Sequence, residues 1–172
     1  MIIILLFLLQ FLFKMTELII IAAVAENNVI GKRGRTPWHI SEDLKRFKQL
    51  TLDKPVIIGR KTYDSLYIRP LPRRLNIVLS REEEFSQPNV IVCRSLEQAL
   101  DVSAPHLFTY IIGGQQIYEQ TINLPLTSRL EITEVNREYD GDAFFPQIDP
   151  LIWKEEKRED KDWYAFVSYI RR

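Results

Sequence analysis

Asp43 stands in PWHISEDLKRFKQL, residues 37–50, and its position needs a reason. The stretch has the spacing of an amphipathic helix. Leu44, Phe47 and Leu50 form one apolar stripe, while Glu42, Lys45, Arg46 and Gln49 face away. Ser41 suits the N-cap, where its hydroxyl accepts from an orphan N–H of the first turn. Asp43 shares a face with Phe47 at i+4 and so falls inside the stripe. There a carboxylate is either a first-turn charge that suits the helix dipole or a group with a chemical task. Position alone does not choose between them.

A second chemistry is written at the ends of the apolar runs. Arg60, Lys61 and Thr62 follow PVIIG. Ser80 and Arg81 close LNIVL, Arg94 follows NVIVC, and Gly113-Gly114 follow TYII. Cations and hydroxyls meet phosphate oxygens, and glycines let a backbone N–H approach closely. Lys61 falls at a helix start, where positive charge opposes the dipole, and a bound anion would reverse that penalty. Any one of these residues is ordinary on a surface. As a set, at strand ends where α/β sheets bind ligands, they point to an anion site.

Other chemistries lack their residues. No GxGxxG follows a strand, GRKT lacks the upstream glycines of a P-loop, and there is no GxSxG elbow. His39 and His106 have no ligand companions at metal spacing, so no metal site is expected. Lys plus Arg and Asp plus Glu both number 23, which offers no bulk electrostatic case for nucleic acid. Cys93 is the only cysteine, so no intrachain disulfide forms, as suits a reducing compartment.

The elements that must position these groups alternate. Runs 18–25, 55–59, 75–80, 89–93, 107–114 and 128–136 read as strands. Helices are expected from Ser41 to about Thr51, from about Lys61, over 95–102 and after Gly114, with a polar loop over 26–39. IWKEEKRE and WYAFVSYIRR around Asp160-Lys161-Asp162 predict an antiparallel hairpin. The fold class is therefore single-domain α/β. It has a mostly parallel central sheet, helices on both faces and an antiparallel C-terminal edge. With 172 residues the chain is long enough for a core without staples. Residues 2–13, IIILLFLLQFLF, are too short to span a bilayer and lack the flanks of a signal peptide. The expectation is an extension over 1–14 outside a domain of 15–172, with Met15 a start in its own right. A short membrane-surface anchor is the alternative.

From Leu18 to Arg172 the chain resembles dihydrofolate reductase. Eight motifs agree in order: IAAVAENNVIG (21–31), PW…EDL..F (37–47), KPVIIGRKT (54–62), RPLP.R (69–74), NIVLSR (76–81), IIGGQQIYE (111–119), LEITEV (130–135) and GDAFFP (141–146). The resemblance implies NADPH-dependent reduction of dihydrofolate, with hydride passing to C6 and a proton to N5. It implies that Asp43 binds the pteridine ring, that Thr133 bonds both Asp43 and the pteridine amino group, and that Trp38 orders a water. Ile21 and Ala23 would line the site. Phe47 and Leu71 would hold the p-aminobenzoyl ring, Arg74 the glutamate α-carboxylate, and Arg69 would join the substrate contacts. Arg60, Lys61, Thr62, Ser80, Arg81 and Arg94 would bind the NADPH phosphates, and Gly113-Gly114, joined by a cis bond, would meet the cofactor. Ile30, Gly31, Thr36, Gln115, Ile117 and Tyr118 complete the cofactor set. The loop from Gly31 to Trp38 would be a lid.

This chain departs from the family pattern at Thr36, at Ser41-Glu42, in the longer Leu66-Tyr67-Ile68, at Arg73 and at Gln115. A cytoplasmic monomer is expected. Two rivals are a same-fold reductase of a pyrimidine riboside flavin precursor and a binding protein without turnover.

Overall fold

The computed structural model describes residues 16–172, so the expectations for residues 1–14 and Met15 lie outside the described residues. Among the described residues there are ten strands: β1 (Glu17–Ala25), β2 (Val29–Gly31), β3 (Pro55–Gly59), β4 (Leu75–Leu79), β5 (Val90–Cys93), β6 (Phe108–Ile111), β7 (Thr127–Val135), β8 (Ala143–Phe144), β9 (Trp153–Asp160) and β10 (Tyr164–Arg171). The helices among the described residues are α1 (Ser41–Thr51), α2 (Arg60–Ser65), α3 (Leu96–Ser103) and α4 (Gln115–Thr121). Eight strands form one sheet in the order β5-β4-β3-β6-β1-β7-β10-β9. The pairings from β5 through β7 are all parallel. β10 runs antiparallel to β7, and β9 antiparallel to β10. The expected sheet and its antiparallel edge are both present.

Two cores cover the two faces, and β1 feeds both by simple alternation. Leu18, Ile20, Ala22 and Val24 pack with Ala99, Ile117, Tyr118 and Ile122, so α3 and α4 cover that face. Ile19 and Ile21 pack with Tyr63, Phe47, Leu50 and Leu66, so α1 and α2 cover the other. The continuous apolar character of β1 follows from this two-sided burial. The outer strand β9 keeps only Trp153 buried and exposes seven charged residues, which blunts the sheet edge.

Local readings needed three corrections. Ser41 is the first residue of α1, not its cap: Ile40 holds the N-cap position with no side-chain bond, and Ser41 Oγ meets His39 Nε2 at 3.1 Å. Arg46 does not face away but is half-buried against β7, while Leu44 of the supposed stripe is 55% exposed. The helix is rotated from the expected stripe because its polar residues find buried partners. The loop 26–39 also holds structure. β2 pairs antiparallel with β8, and Lys32 bridges Arg35. A three-residue strand opposite a two-residue one is too short to read from periodicity.

Candidate active site

The carboxylate of Asp43 meets β7. Thr133 Oγ1 donates to Asp43 Oδ1 at 2.5 Å. Thr133 itself is fully buried. Leu130 and Ile132, which alternate with it, face the α3–α4 core, and this turns Thr133 and Glu131 toward α1. On the neighbouring strand, Ala23 registers with Thr133 and Ile21 with Glu131. Ile21, Phe47 and Leu71 join a single apolar cluster beside the acid. Burial raises the proton affinity of Asp43 above the ordinary carboxylate value, while the Thr133 hydroxyl and the Arg46 charge partly restrain it. Of the two acids on this face Glu131 is paired with Arg46, whereas Asp43 has one oxygen held by Thr133 and no ion pair among the described residues. A carboxylate such as Asp43 can accept hydrogen bonds from an amidine-like edge and take part in proton transfer.

Neighbouring groups close the site. Tyr118 is buried and donates its hydroxyl to the Ile21 carbonyl at 2.8 Å. Burial first, and the Asp43 charge second, hold that phenol protonated far above its usual range. Trp38 packs beside Ile40, Val135 and Tyr164 with its ring 5.0 Å from Tyr139. Thr36 is exposed, and its hydroxyl reaches the Trp38 carbonyl at 3.3 Å. The segment around Gly31 is tied down on one side. Lys32 pairs with Asp140, the Arg33 N–H donates to Asp142 Oδ2 at 2.9 Å, and Asn27 Nδ2 donates to the Tyr139 carbonyl at 2.9 Å. Ile30 packs against the main core, and Gly31 is buried.

The strand-end cations fall into two kinds. Arg94 braces the chain after β4, donating to the carbonyls of Ser80, Glu82 and Glu83. Arg60 pairs with Asp64 and Glu82 and lies over Phe85 at 4.3 Å. Lys61 and Arg81 are exposed and carry no ion pair among the described residues. Ser80 is buried, with its hydroxyl accepting from the Glu82 N–H at 3.2 Å. The Gly113–Gly114 bond is cis, as the resemblance implies. A Cβ added at Gly114 would meet Thr62 Oγ1 at 2.5 Å, so the hydroxyl and the glycine backbone lie side by side at the start of α4. That cradle of bare backbone, hydroxyl and two unpaired cations fits the phosphates of a dinucleotide. Ile117 lies 3.4 Å from a Cβ placed on Gly59, which packs α4 onto the end of β3. Gln115 reaches outward, accepting from the Phe144 N–H at 2.9 Å and so joining α4 to β8.

At the far end of α1, Arg74 donates to Thr51 Oγ1 and to the carbonyls of Lys48 and Pro72. A guanidinium held this way is oriented in advance. Arg69 instead folds back on the carbonyls of Asp64 and Leu66, both at 2.9 Å. Cys93 is buried, and burial pushes its thiol up, so it is no nucleophile. No cluster of metal ligands occurs among the described residues.

Residue-by-residue reading missed Arg46, Glu131 and Ser168. Arg46 pairs with Glu131, and Ser168 Oγ donates to Glu131 Oε2 at 2.7 Å. A signal existed: alternation in SRLEITEVN puts Glu131 on the face of Thr133, and a glutamate inside a buried strand needs a partner.

Comparison with known proteins agrees with this geometry. A family model described as dihydrofolate reductase matches residues 17–170. The dihydrofolate reductase of Neisseria meningitidis serogroup A is 47% identical over 163 residues, covering 91% of this chain and 99% of its own. A type 3 dihydrofolate reductase of Salmonella typhimurium is 41% identical, covering 89% and 97%. Among solved structures, dihydrofolate reductase from Enterococcus faecalis, complexed with NADP(H) and RAB-propyl, superposes with a TM-score of 0.82. It is 32% identical and covers 91% of this chain and 96% of that one. With Asp43 of α1 bonded to Thr133 of β7, bare glycine backbone and exposed cations at the strand ends, and this likeness over nearly the whole described chain, the protein belongs to the dihydrofolate reductase family.

Proposed function

We infer that this protein reduces 7,8-dihydrofolate to 5,6,7,8-tetrahydrofolate with NADPH. The observation that carries the reading is the hydrogen bond between half-buried Asp43 on α1 and fully buried Thr133 on β7. Asp43 accepts from the 2-amino group and the adjacent ring nitrogen of the pteridine, and Thr133 fixes the carboxylate plane while meeting the same amino group. NADPH, when bound, supplies the hydride that C6 receives. Asp43, protonated more readily than an exposed acid, favours protonation of N5. Trp38 positions a water beside the acid. Ile21 and Ala23 line the site and exclude bulk water, and Phe47 and Leu71 hold the p-aminobenzoyl ring. Arg74 pairs with the glutamate α-carboxylate, with Arg69 at the outer edge.

Cofactor binding falls to the cradle. Thr62, Ser80, Gly113 and Gly114 meet phosphate and backbone-reaching groups, and Lys61 and Arg81 supply charge that is not already spent. Arg81 is the residue best suited to a 2′-phosphate. Arg60 and Arg94 support the cradle, and Ile30, Gly31, Thr36, Gln115, Ile117 and Tyr118 line the nicotinamide end. The family resemblance and the unspent cations support this assignment.

We propose further that residues 1–14 are an extension outside the domain and that the enzyme works as a cytoplasmic monomer. No described helix is long and apolar enough to cross a membrane. N-terminal mass analysis of the natural protein tests the extension, and a mature chain beginning at Met1 sinks it. Spectroscopic NADPH oxidation by the purified full chain tests the reaction. Rapid turnover with dihydrofolate and NADPH, slow turnover with NADH and none without substrate is the expected pattern. NADPH binding without oxidation would refute it.

A further inference from the structure

A second contact joins α1 to β7 one helical turn beyond the acid. Asp43 meets Thr133, and Arg46 meets Glu131. Three residues along the helix match two residues back along the strand, so the helix is bolted at two points. Glu131 is opposite Ser168 in the β7–β10 register and accepts its hydroxyl at 2.7 Å. Thr133 is opposite Phe166, and the Arg46 guanidinium lies 5.0 Å from the centre of that ring. The side chains of Arg46 and Glu131 are only 17% and 9% exposed. Arg46 Nη1 is buried and has no hydrogen-bond partner among the described residues.

Such a pair is a poor device for stability alone. Desolvating two ions offsets most of their attraction, and well-packed apolar residues often serve as well. The unpartnered Nη1 adds a further cost. What the pair does supply is orientation and charge beside the acid. We propose that Arg46 and Glu131, steadied by Ser168, are positioning residues of the reductase site: they set the seat of α1 on the sheet and hold a fixed cation one turn from Asp43. This rests on the reading of Asp43 as the substrate-binding acid.

The surrounding charges leave Arg46 as the cation that matters. Glu42 on α1 is drawn outward by the Tyr164 hydroxyl at 2.7 Å and by Lys161. Lys45 on α1 and Glu159 on β9 line the outer groove with Arg46, and Glu159 is paired with Lys161. Arg129 on β7 is engaged by Glu156 and lies 3.7 Å from Glu131. Tyr110 on β6 and Tyr118 on α4 face the pair and the acid as neutral phenols raised by burial. Among these groups, Arg46 is the one whose charge restrains the proton affinity of Asp43.

The test reads the Asp43 carboxyl directly, by carbon NMR of aspartate-labelled full-length protein without substrate, with Asp43→Asn as the blank. Arg46→Met should move the Asp43 titration upward by about half a pH unit or more. Arg46→Lys should restore it. Arg46→Met combined with Glu131→Leu should hold Tm within a few degrees of the parent while keeping the upward shift. In turnover, the alkaline fall of the rate should move upward with the titration. An Asp43 titration that stays put or drops in Arg46→Met overturns the proposal, as does a failure of Arg46→Lys to restore it. Loss of NADPH oxidation by the parent protein would refute the reductase reading instead, while leaving the titration readable.

Discussion

The two ends of the site solve opposite problems. At the α1–β7 face, polar groups are few, buried or half-buried, and already bonded: Asp43 to Thr133, Glu131 to Arg46 and Ser168. At the strand ends, polar groups are many and mostly at the surface, and half of the cations are committed to the protein itself. Arg94 and Arg60 bind carbonyls and carboxylates of the 80–85 segment, whereas Lys61 and Arg81 do not. In the first region low dielectric makes each group count. In the second, water screens each charge, so a ligand must be held by several weak partners and by backbone.

Breaking the buried end should have the largest effect. Asp43→Asn should cost ~100- to 10,000-fold in turnover near neutral pH with NADPH affinity retained. Steady-state kinetics and cofactor titration check it, and parent-like turnover would remove Asp43 from the reaction. The same variant should be more stable than the parent. Burial keeps the folded Asp43 carboxyl above its ordinary 3.8, so the folded chain favours a proton that the unfolded chain has released. That contribution to stability is present below the unfolded value and lost as pH rises through the folded one. Asp43→Asn should therefore raise Tm by a few degrees near neutral pH, and by less as the pH approaches about 4. A lower Tm at neutral pH would contradict the assigned burial cost.

Thr133→Val comes next. It removes a hydrogen bond to a charged acceptor, of the class that contributes about 1.5–3 kcal/mol, so turnover should fall on the order of tenfold. The Asp43 titration should rise, because that hydroxyl holds it down. An unchanged titration would mean that the contact is not present in solution.

The strand-end cations should separate by kind. Arg81→Ala should weaken NADPH about tenfold while leaving NADH nearly unchanged, with little effect on Tm. Arg94→Ala should lower Tm as well, because it strips donors from three carbonyls. Equal losses of NADPH and NADH in Arg81→Ala would argue against a 2′-phosphate role. The smallest effect is expected at Arg73, which holds φ at +57° and pairs with Asp53 at 2.6 Å. Arg73→Gly relieves the left-handed backbone and loses an exposed ion pair, so stability should stay within ~1 kcal/mol and turnover should not change. A large loss of turnover would give Arg73 a role that the geometry does not.

Sequence alone determined the alternating elements, the two-sided burial of β1, the antiparallel hairpin and the motifs that reveal the family. These are local signals, because periodicity, turn residues and apolar runs are read within one segment. It also singled out Asp43 as a carboxylate on a helix that should not need one. Only the tertiary structure decided how α1 is turned, which strand-end cations are spent, and that Arg46 points inward. Those outcomes depend on partners far along the chain: Glu131 for Arg46, Thr133 for Asp43, Glu82 for Arg60. A helix shows its apolar stripe in its own residues. Which polar face it buries is set by the charge waiting on the strand beneath it, and here that strand lies about ninety residues away.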